Sequence, residues 1–138
     1  MKKIITRVFT GGILIHNGKI LILKRKSDDP MHPEFWDILG GFFKENESAE
    51  DCVTRETKEE IGLDVNIKKV GKVYEVMDDY GRAICIPFLL ETKSKKQEPK
   101  IKISEEHSEY KWIEPKHIKN YECAPDIFES AKILGVTK

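Results

Sequence analysis

Near the start of the chain, apolar residues fall into two β-rich runs, Ile13-Leu14-Ile15 and Ile20-Leu21-Ile22-Leu23, separated by His16-Asn17-Gly18-Lys19. Asn-Gly supplies the positive-φ pair that a type I′ turn needs, so residues 12–26 predict a β-hairpin. Residues 27–33 hold two Asp and two Pro and predict a surface loop. Phe35-Trp36-Asp37-Ile38-Leu39 predicts a short strand ending at Gly40-Gly41. The pattern then changes period: Ala49, Val53, Thr57 and Ile61 recur every four residues and form one helical stripe. Ser48 is the expected N-cap, with Asp51 three residues on in an approximate capping box. Gly62 is the expected left-handed residue at the far end.

Residues 65–77 and 82–92 are two further β-type runs, joined at Asp78-Asp79-Tyr80-Gly81. Residues 93–100 (KSKKQEPK) read as a polar loop, and Tyr110-Lys111-Trp112-Ile113 as a final strand. Pro115 and residues 125–134 predict one or two closing helices. The order is β-rich, helix, β-rich, helix, with no repeat and no dividing linker. This predicts a single α/β or α+β domain over residues 1–138.

Composition narrows the classes of function. The 24 Lys+Arg balance the 24 Asp+Glu, so there is no global pull toward nucleic acid or anionic membrane. Hydrophobic residues at 39% exclude a wholly disordered chain. Cys52, Cys85 and Cys123 are widely spaced and odd in number, which predicts reduced thiols in a reducing compartment. Met1-Lys2-Lys3 is followed by no apolar run of signal or membrane-span length, because Thr6, Arg7 and Thr10 interrupt it. The expectation is a cytoplasmic protein without a membrane partner.

The densest chemistry lies in Arg55-Glu56-Thr57-Lys58-Glu59-Glu60-Ile61-Gly62. At about 100° per residue, Glu56 and Glu60 lie about 40° apart, one turn above the other. Glu59 falls on the same half of the helix, and Glu60 runs beside the apolar stripe. Three such carboxylates repel one another unless a cation compensates them. Helix geometry alone leaves two readings open. One is a solvated helix with i,i+4 pairs such as Arg55–Glu59. The other is a site for a hard divalent cation, which takes carboxylate oxygens, waters and a substrate phosphate.

The register with upstream residues separates these readings. Gly41, Glu47, Arg55, Glu56, Glu59, Glu60, Gly62 and Leu63 fall in a pattern that resembles the Nudix box, G-x5-E-x7-R-E-U-x-E-E-x-G-U, where U is bulky and aliphatic. Thr57 is the one departure. Upstream, Trp36-Asp37-Ile38-Leu39-Gly40-Gly41 is similar to the family's W-x-x-P-G-G approach, with Leu39 where Pro is frequent. Asn46 stands where many members have Gly, and Asn is the next-best residue for a left-handed position. Lys44 stands where many have an acidic residue, so a ligand role there is lost. The hairpin end Leu23-Lys24-Arg25 also resembles the family.

The resemblance implies an α/β/α sandwich around a mixed sheet, and hydrolysis of a diphosphate linkage in a nucleoside diphosphate derivative with Mg²⁺ or Mn²⁺. Carried over by position, it implies Glu56 and Glu60 as metal ligands, and Glu59 as a further ligand or the base for the water. The Gly40 carbonyl is a candidate further ligand. Arg55 and Glu47 would orient the acidic cluster, and Arg25 would either contact a phosphate or stand as a solvated cation at the strand end. Residues 103–112 resemble a late loop and strand that in some members return an acidic residue to the metals. Glu106 is the first choice for that general base, with Glu105, Glu109 and His107 as alternatives.

Trp36, Phe42, Phe43 and Tyr74 could stack on a base, although core packing is the simpler expectation for each. His16, His32 and His117 show no zinc spacing. Asp78-Asp79 speaks against an ADP-ribose-type member, and Tyr80 speaks for contact with a dinucleoside polyphosphate. The leading expectation is a nucleoside triphosphate pyrophosphohydrolase of the nucleotide-pool sanitising type. Alternatives are a dinucleoside polyphosphate or nucleotide-sugar hydrolase, and an inactive Nudix-fold binding or regulatory module. Lys93, Lys95, Lys96, Lys100 and Lys102 lack interleaved aromatics, so nucleic acid is not an expected partner. The expected partner is a small nucleotide, with a homodimer as an open alternative to a monomer.

Overall fold

A computed structural model describes residues 2–3, 5–78, 80–94 and 98–137. The expectations resting on Asp79, Lys95 and Lys96 lie outside these residues.

Among the described residues, seven strands form one mixed sheet. They are β1 (Arg7–His16), β2 (Lys19–Arg25), β3 (Trp36–Asp37), β4 (Val65–Val70), β5 (Tyr74–Asp78), β6 (Gly81–Thr92) and β7 (His107–Ile113). Strand β1 runs parallel to β6 and antiparallel to β2, β2 pairs with β3 and β7, and β6 pairs with β4 and β5. The hairpin turn is as expected: Asn17 and Gly18 have φ of 51° and 76°. The expected strand over residues 65–77 is instead two, β4 and β5. The chain breaks at Gly71, where an added Cβ would stand 2.7 Å from Ile133 Cγ2.

The period of two sorts the core onto two faces. Leu14, Leu21, Leu23, Phe88 and Leu90 pack against Val53 and Ile61 of helix α1 (Ala49–Ile61). Their neighbours Ile13, Ile20, Ile22 and Leu89 pack with Ile127 and Ala131 of helix α2 (Pro125–Ile133), and with Ile118 of a 3₁₀ turn over Pro115–Asn120. The sheet is thus covered on both faces, the α/β/α arrangement that the resemblance implies.

The caps of α1 are those read from the sequence. The Asp51 N–H donates to Ser48 Oγ at 3.1 Å, and Gly62 takes φ of 74° while its N–H donates to the Lys58 carbonyl. Thr57, the departure from the aliphatic pattern, is fully buried, and its hydroxyl donates to the Val53 carbonyl at 2.7 Å. Its methyl therefore fills the aliphatic position without an unsatisfied donor.

Candidate active site

Residues 39–42 carry the chain from β3 toward α1 and are sewn antiparallel to β1. Gly12 and Leu39 exchange both backbone hydrogen bonds, at 2.6 and 3.0 Å, and the Thr10 N–H donates to the Gly41 carbonyl at 2.9 Å. Leu39 therefore uses an N–H that the family's frequent proline would lack. Gly40 has φ of 119°, and a Cβ there would lie 2.0 Å from the Thr10 carbonyl oxygen. A Cβ on Gly41 would lie 2.7 Å from Glu56 Cδ. Gly40 thus lets the backbone lie against β1, and Gly41 lets it lie directly against the Glu56 carboxylate.

Glu60 points inward from α1, is only 5% exposed, and accepts a hydrogen bond from the Gly40 N–H at 2.8 Å. Burial raises its pKa well above the ordinary carboxylate value, and the Glu56, Asp37 and Glu106 carboxylates push it further. Glu56, one turn earlier, is raised as well, chiefly by burial. Arg55 binds the cluster together: it donates to Glu47 at 2.6 and 2.9 Å, to Glu56 at 2.9 Å, to Glu59 at 3.1 Å and to the Phe42 carbonyl at 3.1 Å. Its guanidinium, with the Lys44 N–H, holds the Glu47 carboxyl down at about 2. Glu59 is more exposed, and Lys44 Nζ stands 3.8 Å from it. Asn46 has φ of 60°, the left-handed conformation expected there.

The late loop closes the site through contacts that side-chain patterns do not announce. Lys102 and Ser104 donate their N–H groups to the Ile61 and Glu60 carbonyls, each at 3.0 Å, so the loop caps the open end of α1. A cleft is then lined by Glu56, Glu59, Glu60, Ser104, Glu105 and Glu106. Glu60, Glu106 and His107 each offer a ligand atom, and these atoms lie within 4.8 Å of one another. Glu109, by contrast, pairs with Lys24, whose ammonium sits over Trp36 on the α2 side of the sheet, so it faces away from α1.

A buried carboxylate with a raised pKa, further carboxylates and an imidazole meeting at one point form a donor set that fits a divalent cation.

A second cleft adjoins the same glycines, lined by Arg7, Arg25, Asp37, Gly40, Gly41, Phe42, Asp78 and Asp126 among others. Arg25 is in its wall, donating to Asp37 at 3.0 Å and to Asp29 at 3.1 Å. Phe42 is 53% exposed, so the core expectation does not hold for it, whereas Trp36 is buried. Tyr80 is 69% exposed at the β5–β6 turn; its ring stands 5.8 Å from Arg7 Cζ and does not itself line the cleft. Asp126 went unnoticed in the sequence; burial and the nearby Asp37 carboxylate raise its pKa well above the ordinary value. The sequence carried a signal only for its neighbour: Asp37, a charged residue inside the apolar run Phe35-Trp36-Asp37-Ile38-Leu39, marks a buried charge that needs a partner, and Arg25 supplies it.

The sequence matches the family profile described as the NUDIX domain across residues 6–133. The ADP-ribose pyrophosphatase of Methanocaldococcus jannaschii is 38% identical over 86 residues, which is 61% of this chain and 50% of that protein, so the chain spans half the length of this relative. The nucleoside triphosphatase NudI of Escherichia coli (strain K12) is 26% identical over 134 residues, 90% of this chain and 93% of that one. Among solved structures, the MutT protein from Methanosarcina mazei Go1 superposes with a TM-score of 0.78 at 23% identity, covering 95% of this chain and 92% of that one. The chain belongs to the Nudix hydrolase family. Among the described residues, no helix is long and apolar enough to cross a membrane.

Proposed function

We propose that this chain hydrolyses a nucleoside triphosphate to the monophosphate and pyrophosphate, with Mg²⁺ or Mn²⁺ held by Glu56, Glu60 and Glu59 and by the Gly40 carbonyl. The observation that carries this reading is the convergence of Glu60 from α1 with Glu106 and His107 from the late loop, within 4.8 Å. Such an ion neutralises phosphate charge and lowers the pKa of a water. In this reading Arg55 and Glu47 hold the α1 carboxylates at fixed spacing, and Gly40 orients Glu60 through its N–H. Glu106 accepts the proton of the attacking water, with Glu59 as the alternative base.

The nucleoside enters the second cleft beside Gly40 and Gly41. Arg25, which lines it, faces the phosphates, and Tyr80 contributes from the rim. NudI supports the triphosphate reading, because its similarity runs through nearly both chains. The 38% identity to an ADP-ribose pyrophosphatase favours a nucleotide-sugar substrate as the second reading. The free thiols Cys52, Cys85 and Cys123 support a cytoplasmic setting.

Product analysis tests the assignment. Purified protein with Mg²⁺ is presented with nucleoside triphosphates, oxidised nucleotides, nucleotide sugars and dinucleoside polyphosphates, with Glu60→Gln as control. Monophosphate and pyrophosphate released from triphosphates, and lost in the variant, are expected. Cleavage confined to nucleotide sugars or dinucleoside polyphosphates would replace the substrate, and metal binding without turnover on any of them would favour a binding module.

A further inference from the structure

The register of β7 contains an irregularity at the site. Ile113, Trp112, Lys111, Tyr110 and Glu109 pair in order with Ile20, Leu21, Ile22, Leu23 and Lys24, but Arg25 then pairs with His107, skipping Ser108. Ile113 belongs to the α2-side core. Unbroken alternation would leave residues 111, 109 and 107 on that same side. The bulge reverses the parity and turns His107 to the face of Leu21 and Leu23, which is the face of α1. The imidazole is 6% exposed there, and among the described residues its Nδ1 has no hydrogen-bond partner. A buried imidazole with an unpartnered ring nitrogen, in a cluster with the Glu60 and Glu106 carboxylates, is a costly arrangement unless a further group completes it.

We infer that His107 is a nitrogen ligand to the site's divalent ion, sharing it with Glu60 and Glu106, and that this mixed set selects Mn²⁺ or a later first-row ion over Mg²⁺. This rests on the reading of the acidic helix as a metal site. Mg²⁺ favours oxygen donors and retains waters, whereas imidazole is a good donor to first-row transition ions. A carboxylate has two oxygens, so Glu106 can hold the ion through one and keep the other for a proton.

Pulsed electron paramagnetic resonance of the full chain loaded with Mn²⁺ reads the ligand without turnover. Protein with ¹⁵N-histidine is expected to show nitrogen coupling that differs from unlabelled protein in the manner of the isotope exchange. The chain has four histidines, so His107→Gln assigns the signal: coupling disappears, Mn²⁺ affinity falls by at least about tenfold and Mg²⁺ affinity by much less. Should His107→Gln fail to fold, a chain with His16, His32 and His117 all changed to Gln is expected to keep the coupling. Bound Mn²⁺ without histidine coupling would overturn this inference and leave the proposed hydrolase intact. Failure of both Mn²⁺ and Mg²⁺ to bind would overturn both.

Discussion

The backbone N–H of Gly40 donates to the inward-facing carboxylate of Glu60 across 2.8 Å, joining the segment after β3 to the last turn of the acidic helix. Burial still dominates, and the Glu60 carboxyl stays well above its ordinary value of 4.5. The metal-free native state therefore binds a proton that the unfolded chain releases near that pH. Its stability contribution is full below pH 4.5 and is lost as pH rises through the folded-state pKa. Melting in EDTA from pH 4.5 to 8 should show Glu60→Gln gaining on wild type toward neutral pH, while metal-dependent turnover is abolished. Parallel pH profiles for the two proteins would refute the assignment of a raised pKa.

Glu106 lies across the cleft from α1, on a loop pinned by the Lys102 and Ser104 hydrogen bonds. Glu106→Gln keeps the shape and removes the base. Turnover is expected to fall by about 10² to 10⁴ with little change in melting temperature. Wild-type turnover in that variant would remove Glu106 from the mechanism.

Gly40 and Gly41 should separate stability from function. A methyl on Gly40 meets backbone at 2.0 Å and requires φ of 119°, so Gly40→Ala is expected to cost about 1–3 kcal/mol or more in chemical denaturation. A methyl on Gly41 meets the Glu56 carboxylate first, at 2.7 Å, and that side chain can shift. Gly41→Ala is expected to fold and to bind metal more weakly in a calorimetric titration.

Glu47 is tied to Arg55 by two hydrogen bonds and held at about 2. Its folded-state pKa is depressed, so its stabilising effect is present above 4.5 and lost as pH falls toward 2. Glu47→Gln should lower turnover at neutral pH by about 10 to 100-fold. Its stability should trail wild type at pH 7 and converge with it near pH 2.

Leu39 donates its N–H to the Gly12 carbonyl at 3.0 Å. Leu39→Pro would install the residue frequent in the family yet remove that donor and leave a buried acceptor unpaired. A loss of about 1–3 kcal/mol is expected in urea denaturation. Unchanged stability would show that residues 39–42 do not depend on that bond.

The hairpin, the caps of α1 and the acidic register were legible because each is a local rule. Asn17-Gly18 needs positive φ, Ser48 and Gly62 close a helix, and a rotation of about 100° per residue brings Glu56 and Glu60 together. The two-faced core was expected only through the family resemblance; the structure then sorts Ile13 from Leu14, and Leu21 from Ile22, onto opposite faces. The break at Gly71 was missed, because the contact that crowds it comes from Ile133, distant in the chain.

The sequence by itself determined the family and the carboxylates of α1, since these follow from spacings along one chain segment, and the resemblance carried with it the expectation of a two-sided sheet. Only the tertiary structure decided which late residues meet that helix. A one-residue shift in β-pairing turns His107 toward α1, and backbone hydrogen bonds from Lys102 and Ser104 set the loop against it. Pairing register and backbone docking depend on segments far apart in the chain, and neither leaves a periodic trace in the side chains.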